Sequence, residues 1–118
     1  YMEKFLFITD YISNHFSENL TLEEVASLAG FSKYHFARLF KQYTNSSFYK
    51  FLNQKRIEYA KSLLLDPELA VIEVAAQSGF SSLSAFLRMF KQLNLCTPTE
   101  FRSMYDSQLQ KKPASGKK

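Results

Sequence analysis

Basic side chains are unevenly distributed along the sequence, in two windows that contain no acid. The first window lies between Glu24 and Glu58, and the second between Glu73 and Glu100. They contain Lys33, Arg38, Lys41, Lys50, Lys55 and Arg56 in the first window, and Arg88 and Lys91 in the second. Arg can hydrogen-bond both acceptors of a guanine edge, while Lys and Ser can bind phosphates or bases. These windows are therefore candidates for contact with nucleic acid.

The net charge of the chain does not itself argue for nucleic acid. The formal charge is +4, but four lysines at the carboxyl-terminal end, Lys111, Lys112, Lys117 and Lys118, supply all of it. Residues 1–110 contain 11 basic and 11 acidic side chains. Only the placement of the charges is informative.

Residues that could support catalysis or metal binding are sparse. The two histidines, His15 and His35, form no catalytic arrangement with Ser or Asp, and the single Cys96 has no neighbour at metal-ligand spacing. The sequence therefore predicts no enzyme, no cofactor and no metal site. One unpaired cysteine and the absence of a signal peptide or a long apolar run favour a cytoplasmic protein.

The elements that must position the basic residues are helices. The chain has 118 residues, enough for one small domain or two very small lobes. Apolar residues recur at spacings of three and four, and strand-like alternation is scarce, so we expect an all-α fold of about seven helices. The predicted parts are a first subdomain (1–46), a long connecting helix (47–66), a second subdomain (67–108) and a flexible basic tail (109–118).

Capping residues predict several helix ends. Thr21 forms a capping box with Glu24 at the start of a short helix that Gly30 stops. Ser32 and Ser47 can cap the next two helices, and Asn45 can end the first of these in the left-handed conformation. The opening helix is expected to end near Asn19, and the last to cover about residues 101–107.

A repeat is the most informative feature. The octapeptide starting at Val25 and the one starting at Val74 agree at five of eight positions, at an offset of 49. The heptapeptides starting at Phe36 and Phe86 agree at five of seven, at an offset of 50. The second copy therefore has one extra residue in its turn. Each copy consists of a short helix, a turn containing Gly and a longer helix, which is typical of a helix-turn-helix.

Each longer helix has an apolar stripe and an opposite face suited to a DNA major groove. The first copy has Phe36, Leu39, Phe40 and Tyr43 on the stripe, and the second has Phe86, Met89, Phe90 and Leu93. The predicted DNA-binding residues are Ser32, Lys33, Tyr34, Ala37, Arg38 and Lys41 in the first copy, and Ser82, Leu83, Ser84, Leu87, Arg88 and Lys91 in the second.

Some of these residues have a second interpretation. Tyr34 and Leu83 could contact a thymine methyl group or cover a neighbouring side chain. Lys55 and Arg56 could bind phosphates or form salt bridges, and because Glu58 and other acids are available, structural roles are favoured. In the alternative function, Tyr34, Leu83 and Leu87 form the interface of a helical protein-interaction domain, and DNA is not bound.

The chain resembles the DNA-binding domain of the AraC/XylS family of bacterial transcription regulators over about residues 6–105. The second copy and the segment after it match most specifically, at Ile72, Ala75, Gly79, Phe80, Phe86, Arg88, Phe90, Lys91, Pro98, Phe101 and Arg102. In the connecting helix the matching residues are Arg56, Ala60, Leu63 and Leu64.

The resemblance implies a transcription regulator, an activator, that inserts two recognition helices into successive major grooves of promoter or operator DNA. It also implies RNA polymerase as a partner and a nucleoid-associated location. Because Tyr1 is not an initiator Met, we expect a sensing or dimerisation domain ahead of it. Leu95 departs from the family, which commonly has Gly there. The side chains of Ala37, Leu83 and Leu87 cannot hydrogen-bond to bases. Since two of the three belong to the second helix, that helix is expected to hold the backbone or read methyl groups.

Overall fold

The computed structural model describes the backbone of residues 1–116 and the side chains of residues 1–108. Within this range the chain forms seven α-helices and no strand. They are α1 (Met2–His15), α2 (Leu22–Ala29), α3 (Lys33–Thr44), α4 (Phe48–Leu64), α5 (Val71–Gln77), α6 (Leu83–Asn94) and α7 (Pro98–Gly116). The prediction of an all-α fold is confirmed.

The chain divides into two compact units, and the boundary falls inside α4. Unit 1 is Tyr1–Arg56 and contains α1, α2, α3 and the first half of α4. Unit 2 is Ile57–Lys118 and contains the second half of α4 with α5, α6 and α7. Each unit thus consists of a helix-turn-helix pair with one helix before it and one after it.

Aromatic side chains dominate the core of unit 1. Phe36 and Phe40, one turn apart on α3, are fully buried, with ring centroids 5.6 Å apart. Phe5 of α1 stacks on Phe36 at 5.8 Å, and Phe48 of α4 meets Phe40 edge-on at 5.9 Å. Because α3 is packed against rings from two other helices, its orientation within unit 1 is fixed.

The core of unit 2 repeats this arrangement with fewer rings. Phe86 and Phe90 of α6 are fully buried, with centroids 5.7 Å apart. Phe80 from the turn meets Phe86, and Phe101 of α7 meets Phe90. The other core residues are Ile57, Ala60, Leu64, Val74 and Ala75. The apolar stripes predicted for both longer helices are therefore confirmed as core, except at Tyr43, which is 40% exposed.

Most predicted helix ends are also confirmed. Thr21 and Glu24 form a complete capping box on α2, and Gly30 ends that helix in the left-handed region at φ 79°. The Ser47 hydroxyl accepts the backbone N–H of Lys50 at the start of α4. Asn45 ends α3 at φ 60°.

Two helix ends differ from the prediction. α1 ends at His15 rather than near Asn19, because the carbonyls of Phe16 and Glu18 turn to bind the Arg56 side chain. α7 continues past residue 107 to Gly116, although that stretch contains Pro113, which disfavours a helix interior. The mobility predicted for the basic tail remains a prediction, and residues 117–118 lie outside the described range.

Candidate nucleic-acid interface

The turn before each longer helix sets where that helix begins. In unit 1 the Gly30 N–H binds the carbonyls of Ala26 and Ser27. In unit 2 Gly79 has φ 99°, and the extra residue of the second copy lies in the turn after it. A left-handed backbone strains any residue with a Cβ atom, which explains glycine at both positions.

Ser32 and Ser82 are the N-caps of α3 and α6. The Ser32 hydroxyl accepts the His35 backbone N–H at 3.2 Å, and the Ser82 hydroxyl accepts that of Ala85 at 3.1 Å. Both side chains are exposed. Since each oxygen serves only as an acceptor here, each hydroxyl hydrogen remains available to an outside acceptor such as a phosphate.

The outer face of α3 carries the residues that the sequence predicted there. Lys33, Tyr34, Arg38 and Lys41 are exposed, and Tyr34 is exposed to 74%. Ala37 between them is half-buried. No acid occurs on α3. The face is therefore cationic and borne on a helix whose other side is held by buried rings.

An acid of α2 faces the first turn of α3, and the sequence interpretation missed it. Glu23 Oε2 lies 3.1 Å from Lys33 Nζ, and both side chains remain largely exposed. The pKa of Glu23 is lowered, first by its own backbone N–H and then by Lys33, while its carboxylate raises the pKa of Lys33. The sequence shows that the acid-free window begins only after Glu24, but this does not indicate that Glu23 reaches Lys33. Lys33 is thus partnered within unit 1.

The outer face of α6 has a different chemistry. Arg88 and Lys91 are exposed, as is Ser84. Leu83 and Leu87, which stand at the places of Lys33 and Ala37, are each 38% exposed. No acid occurs on α6 either. This face is half cationic and half apolar.

A cavity of about 740 Å³ lies beside α3 in unit 1. Its wall includes the predicted residues Ala37, Arg38 and Lys41, and also Tyr49 at the start of α4. The Tyr49 hydroxyl accepts the backbone N–H of Leu22 at 3.2 Å. The sequence interpretation did not single out Tyr49, since nothing in its local pattern indicates a contact 27 residues away.

Two arginines outside these faces have structural contacts. Arg56 donates to the carbonyls of Phe16 (2.7 Å) and Glu18 (2.9 Å) after α1, and burial lowers the pKa of its guanidinium. Arg102 donates to three carbonyls after α4, those of Leu64, Asp66 and Leu69. The structural contacts given for Arg56 are thus with backbone carbonyls, and Lys55 Nζ lies 5.2 Å from the centre of the Phe51 ring.

Metal-binding and membrane-spanning features are absent from the described part of the chain. Its residues include no cluster of His, Cys, Asp or Glu able to hold a metal ion. None of the helices in that range is long and apolar enough to cross a membrane.

The repeated pair of a short helix and an outward-facing longer helix defines a helix-turn-helix protein. A family model described as "Helix-turn-helix domain" matches residues 25–104. The chain belongs to the AraC/XylS family, within its helix-turn-helix DNA-binding domains.

Relatives and solved structures agree with this family. An uncharacterised HTH-type transcriptional regulator of Staphylococcus aureus (strain COL) is 38% identical over 95 residues, which are 80% of this chain and 13% of that protein. The C-terminal domain of AraT, a response regulator from Geobacillus stearothermophilus, aligns with a TM-score of 0.78 and 35% identity, over 82% of this chain and 81% of that one.

The DNA-binding domain of AdpA, a global transcriptional factor solved in complex with a target DNA, aligns with a TM-score of 0.81 and 28% identity. The alignment covers 86% of this chain and 91% of that one. The chain therefore matches whole DNA-binding domains of known structure, but only about an eighth of the Staphylococcus aureus regulator's length.

Proposed function

We propose that the chain binds double-stranded DNA sequence-specifically, with α3 and α6 entering successive major grooves. The observation that carries the proposal is the repetition of one arrangement. Arg38 and Arg88 occupy matching places on exposed, acid-free helix faces, each backed by two fully buried phenylalanines. The DNA complex of AdpA supports double-stranded DNA as the ligand class.

The two helices contribute differently to this binding. Arg38 donates to both acceptors of a guanine edge, the usual specific contact of an arginine in the major groove. Lys41 and Lys91, in the last turns of α3 and α6, neutralise phosphates. Lys33 binds a phosphate of the DNA only when its ion pair with Glu23 is broken. Unit 1 is therefore the main reader of base identity.

Transcription activation is part of the same proposal. The named relatives are transcriptional regulators, and the family resemblance favours an activator that acts with RNA polymerase on promoter DNA. A sensing or dimerisation domain elsewhere in a longer chain and a cytoplasmic, nucleoid-associated location accompany this role. No catalytic step is involved.

Selection of bound sequences from random duplexes tests the proposal. Adjacent major-groove faces on one side of B-DNA are about 34 Å apart, so we expect two conserved blocks separated by roughly 10 base pairs. A bend in the DNA would shorten that spacing. Enrichment of one block alone would contradict base reading by α6 and leave that helix with backbone contacts only, and no enrichment would contradict sequence-specific binding.

Salt dependence separates this function from a protein-interaction domain. The affinity of binding through phosphates falls steeply as the salt concentration rises. The logarithm of the binding constant changes with the logarithm of the salt concentration by about −0.9 for each phosphate contact, whereas the affinity of an apolar protein contact does not fall in this way. We expect Lys41→Ala and Lys91→Ala each to reduce the steepness of this slope by about 0.9, the value for one phosphate contact. An unchanged slope in both variants would exclude phosphate roles for these lysines.

A further inference from the structure

The outer face of α6 contains two partly exposed leucines that lie outside the buried cluster of unit 2. Leu83 and Leu87 are four residues apart, so their side chains are neighbours along one face of the helix. Each is 38% exposed, while the buried side of α6 is filled by Phe86 and Phe90, both fully buried. The two leucines are therefore available to a ligand that approaches the outer face.

Arg88 and Lys91 lie beside these leucines on α6, and their charge indicates the chemical class of the ligand. Both are exposed on the same helix, and α6 contains no acid. The positive charge of Arg88 and Lys91 favours a polyanion as the ligand and disfavours a protein partner with a basic surface. The apolar part of the face must then meet an apolar group of the polyanion. In the major groove that group is the C5-methyl of thymine.

Leucine side chains cannot donate or accept hydrogen bonds, so Leu83 and Leu87 cannot recognise guanine, adenine or cytosine by their polar edges. A C5-methyl group, in contrast, gains from contact with a half-exposed leucine because both surfaces leave water. Unit 1 differs at these places, where Lys33 and Ala37 stand.

We infer that unit 2 recognises C5-methylated pyrimidines through Leu83 and Leu87, so the DNA block opposite α6 is defined by thymine methyl groups. This inference rests on the proposed insertion of α6 into a major groove. It adds the chemical class of base that α6 prefers.

Replacing thymine by uracil tests the inference directly, because uracil lacks only the methyl group. Using the duplex selected above, each thymine of the α6 block is changed singly to uracil. We expect about a fourfold loss of affinity for each contacted methyl, as for one buried methylene. Uracil at thymines outside both blocks is the control. Replacing a contacted thymine by 5-methylcytosine, with guanine opposite, should retain more affinity than unmethylated cytosine.

Leu83→Ala and Leu87→Ala are the matching protein variants. Because both side chains are partly exposed, the variants should fold, which circular dichroism checks. In the variant that has lost the contacted leucine, thymine and uracil duplexes should bind equally. Loss of affinity for both duplexes by the same factor would overturn the inference, since it would indicate a role that does not involve the methyl group.

The α6 block is assigned independently of affinity by attaching a DNA-cleaving iron chelate at Ser81→Cys, in a chain that also carries Cys96→Ser. Ser81 is exposed in the turn before α6 and is not one of the predicted DNA-binding residues. Cleavage in neither block would contradict the proposed function itself, as would self-association through the leucines without duplex binding. Cleavage in one block with no effect of uracil there would leave the proposed function standing and overturn only the methyl recognition.

Discussion

Unit 1 and unit 2 share their buried phenylalanines but differ at the ends of their helices. In unit 1 Thr21 supplies a complete capping box, whereas Ala70 at the same place in unit 2 has no side-chain acceptor and only Glu73 caps the backbone. Asn45 adopts the left-handed conformation after α3, and Leu95 must adopt it after α6, at φ 63°.

A third difference lies in the cores. Ser78 of unit 2 is fully buried, and its hydroxyl has no hydrogen-bond partner among the described residues, where unit 1 has Ala29. Three features of unit 2 each lower its stability. They are the N-cap Ala70 without a side-chain acceptor, Leu95 in the left-handed conformation and the buried Ser78 hydroxyl without a hydrogen-bond partner. A repeated pattern of core residues therefore does not imply equal local stability. Unit 2 is expected to exchange its amide hydrogens more readily.

The largest expected effect concerns the matching arginines. Arg38→Ala should weaken binding to the selected duplex by about 1 to 3 kcal/mol, the usual worth of a bidentate base contact, and should reduce the preference over random DNA. Because the second helix is expected to hold the DNA backbone, Arg88 is assigned a phosphate contact, and Arg88→Ala should weaken binding to both kinds of DNA alike. Titrations against both duplexes measure this, and unchanged affinity of Arg38→Ala would remove the assignment of base reading to unit 1.

Ser78→Ala should stabilise unit 2 by about 2 kcal/mol, because it removes a buried hydroxyl that has no partner. The reciprocal change in unit 1, Ala29→Ser, should destabilise that unit. Residue-resolved hydrogen exchange reports each unit separately. Slower opening of unit 1 rather than unit 2 in Ser78→Ala would contradict the explanation.

Leu95→Asn should stabilise unit 2 by about 1 kcal/mol, since Asn tolerates the left-handed conformation better than Leu does. Asn45→Leu should cost unit 1 a similar amount. Leu95 is 85% exposed, so the change removes little packing. Urea unfolding of both variants measures the effect, and a neutral Leu95→Asn would mean that the turn is not strained.

The smallest effect is expected at the ion pair that distinguishes unit 1. Glu23→Gln frees Lys33 for a phosphate and removes an acid near the DNA, so affinity should rise a few-fold and the salt slope should steepen by about 0.9. At the matching place in unit 2, Ile72→Gln is the control and should leave the slope unchanged. A flatter slope in Glu23→Gln would contradict competition for Lys33.

The sequence predicted the elements because their determinants are local. Apolar spacing, the Thr21 and Glu24 capping box and Gly30 each act within a few residues of where they stand. The faces of α3 and α6 followed from the same periodicity. These parts of the candidate site therefore needed no tertiary information.

Contacts between distant residues were not predictable in the same way. The end of α1 depends on Arg56, 40 residues away, and the hydrogen bond from Leu22 to Tyr49 spans 27. The Glu23–Lys33 pair depends on the angle at which α2 and α3 meet, which periodicity does not determine. The DNA contacts of the candidate site depend on a partner molecule and remain predictions.

The contacts of Arg56 and Arg102 have a consequence for protein synthesis. Arg56 joins the end of α1 to α4, and Arg102 joins the end of α4 to α7, 46 positions later in the chain. At about 5–20 residues per second, a ribosome adds Arg102 roughly 2–9 s after Arg56. During that interval the carbonyls of Leu64, Asp66 and Leu69 lack the Arg102 guanidinium as a donor, so the contacts of Arg56 can form before those of Arg102.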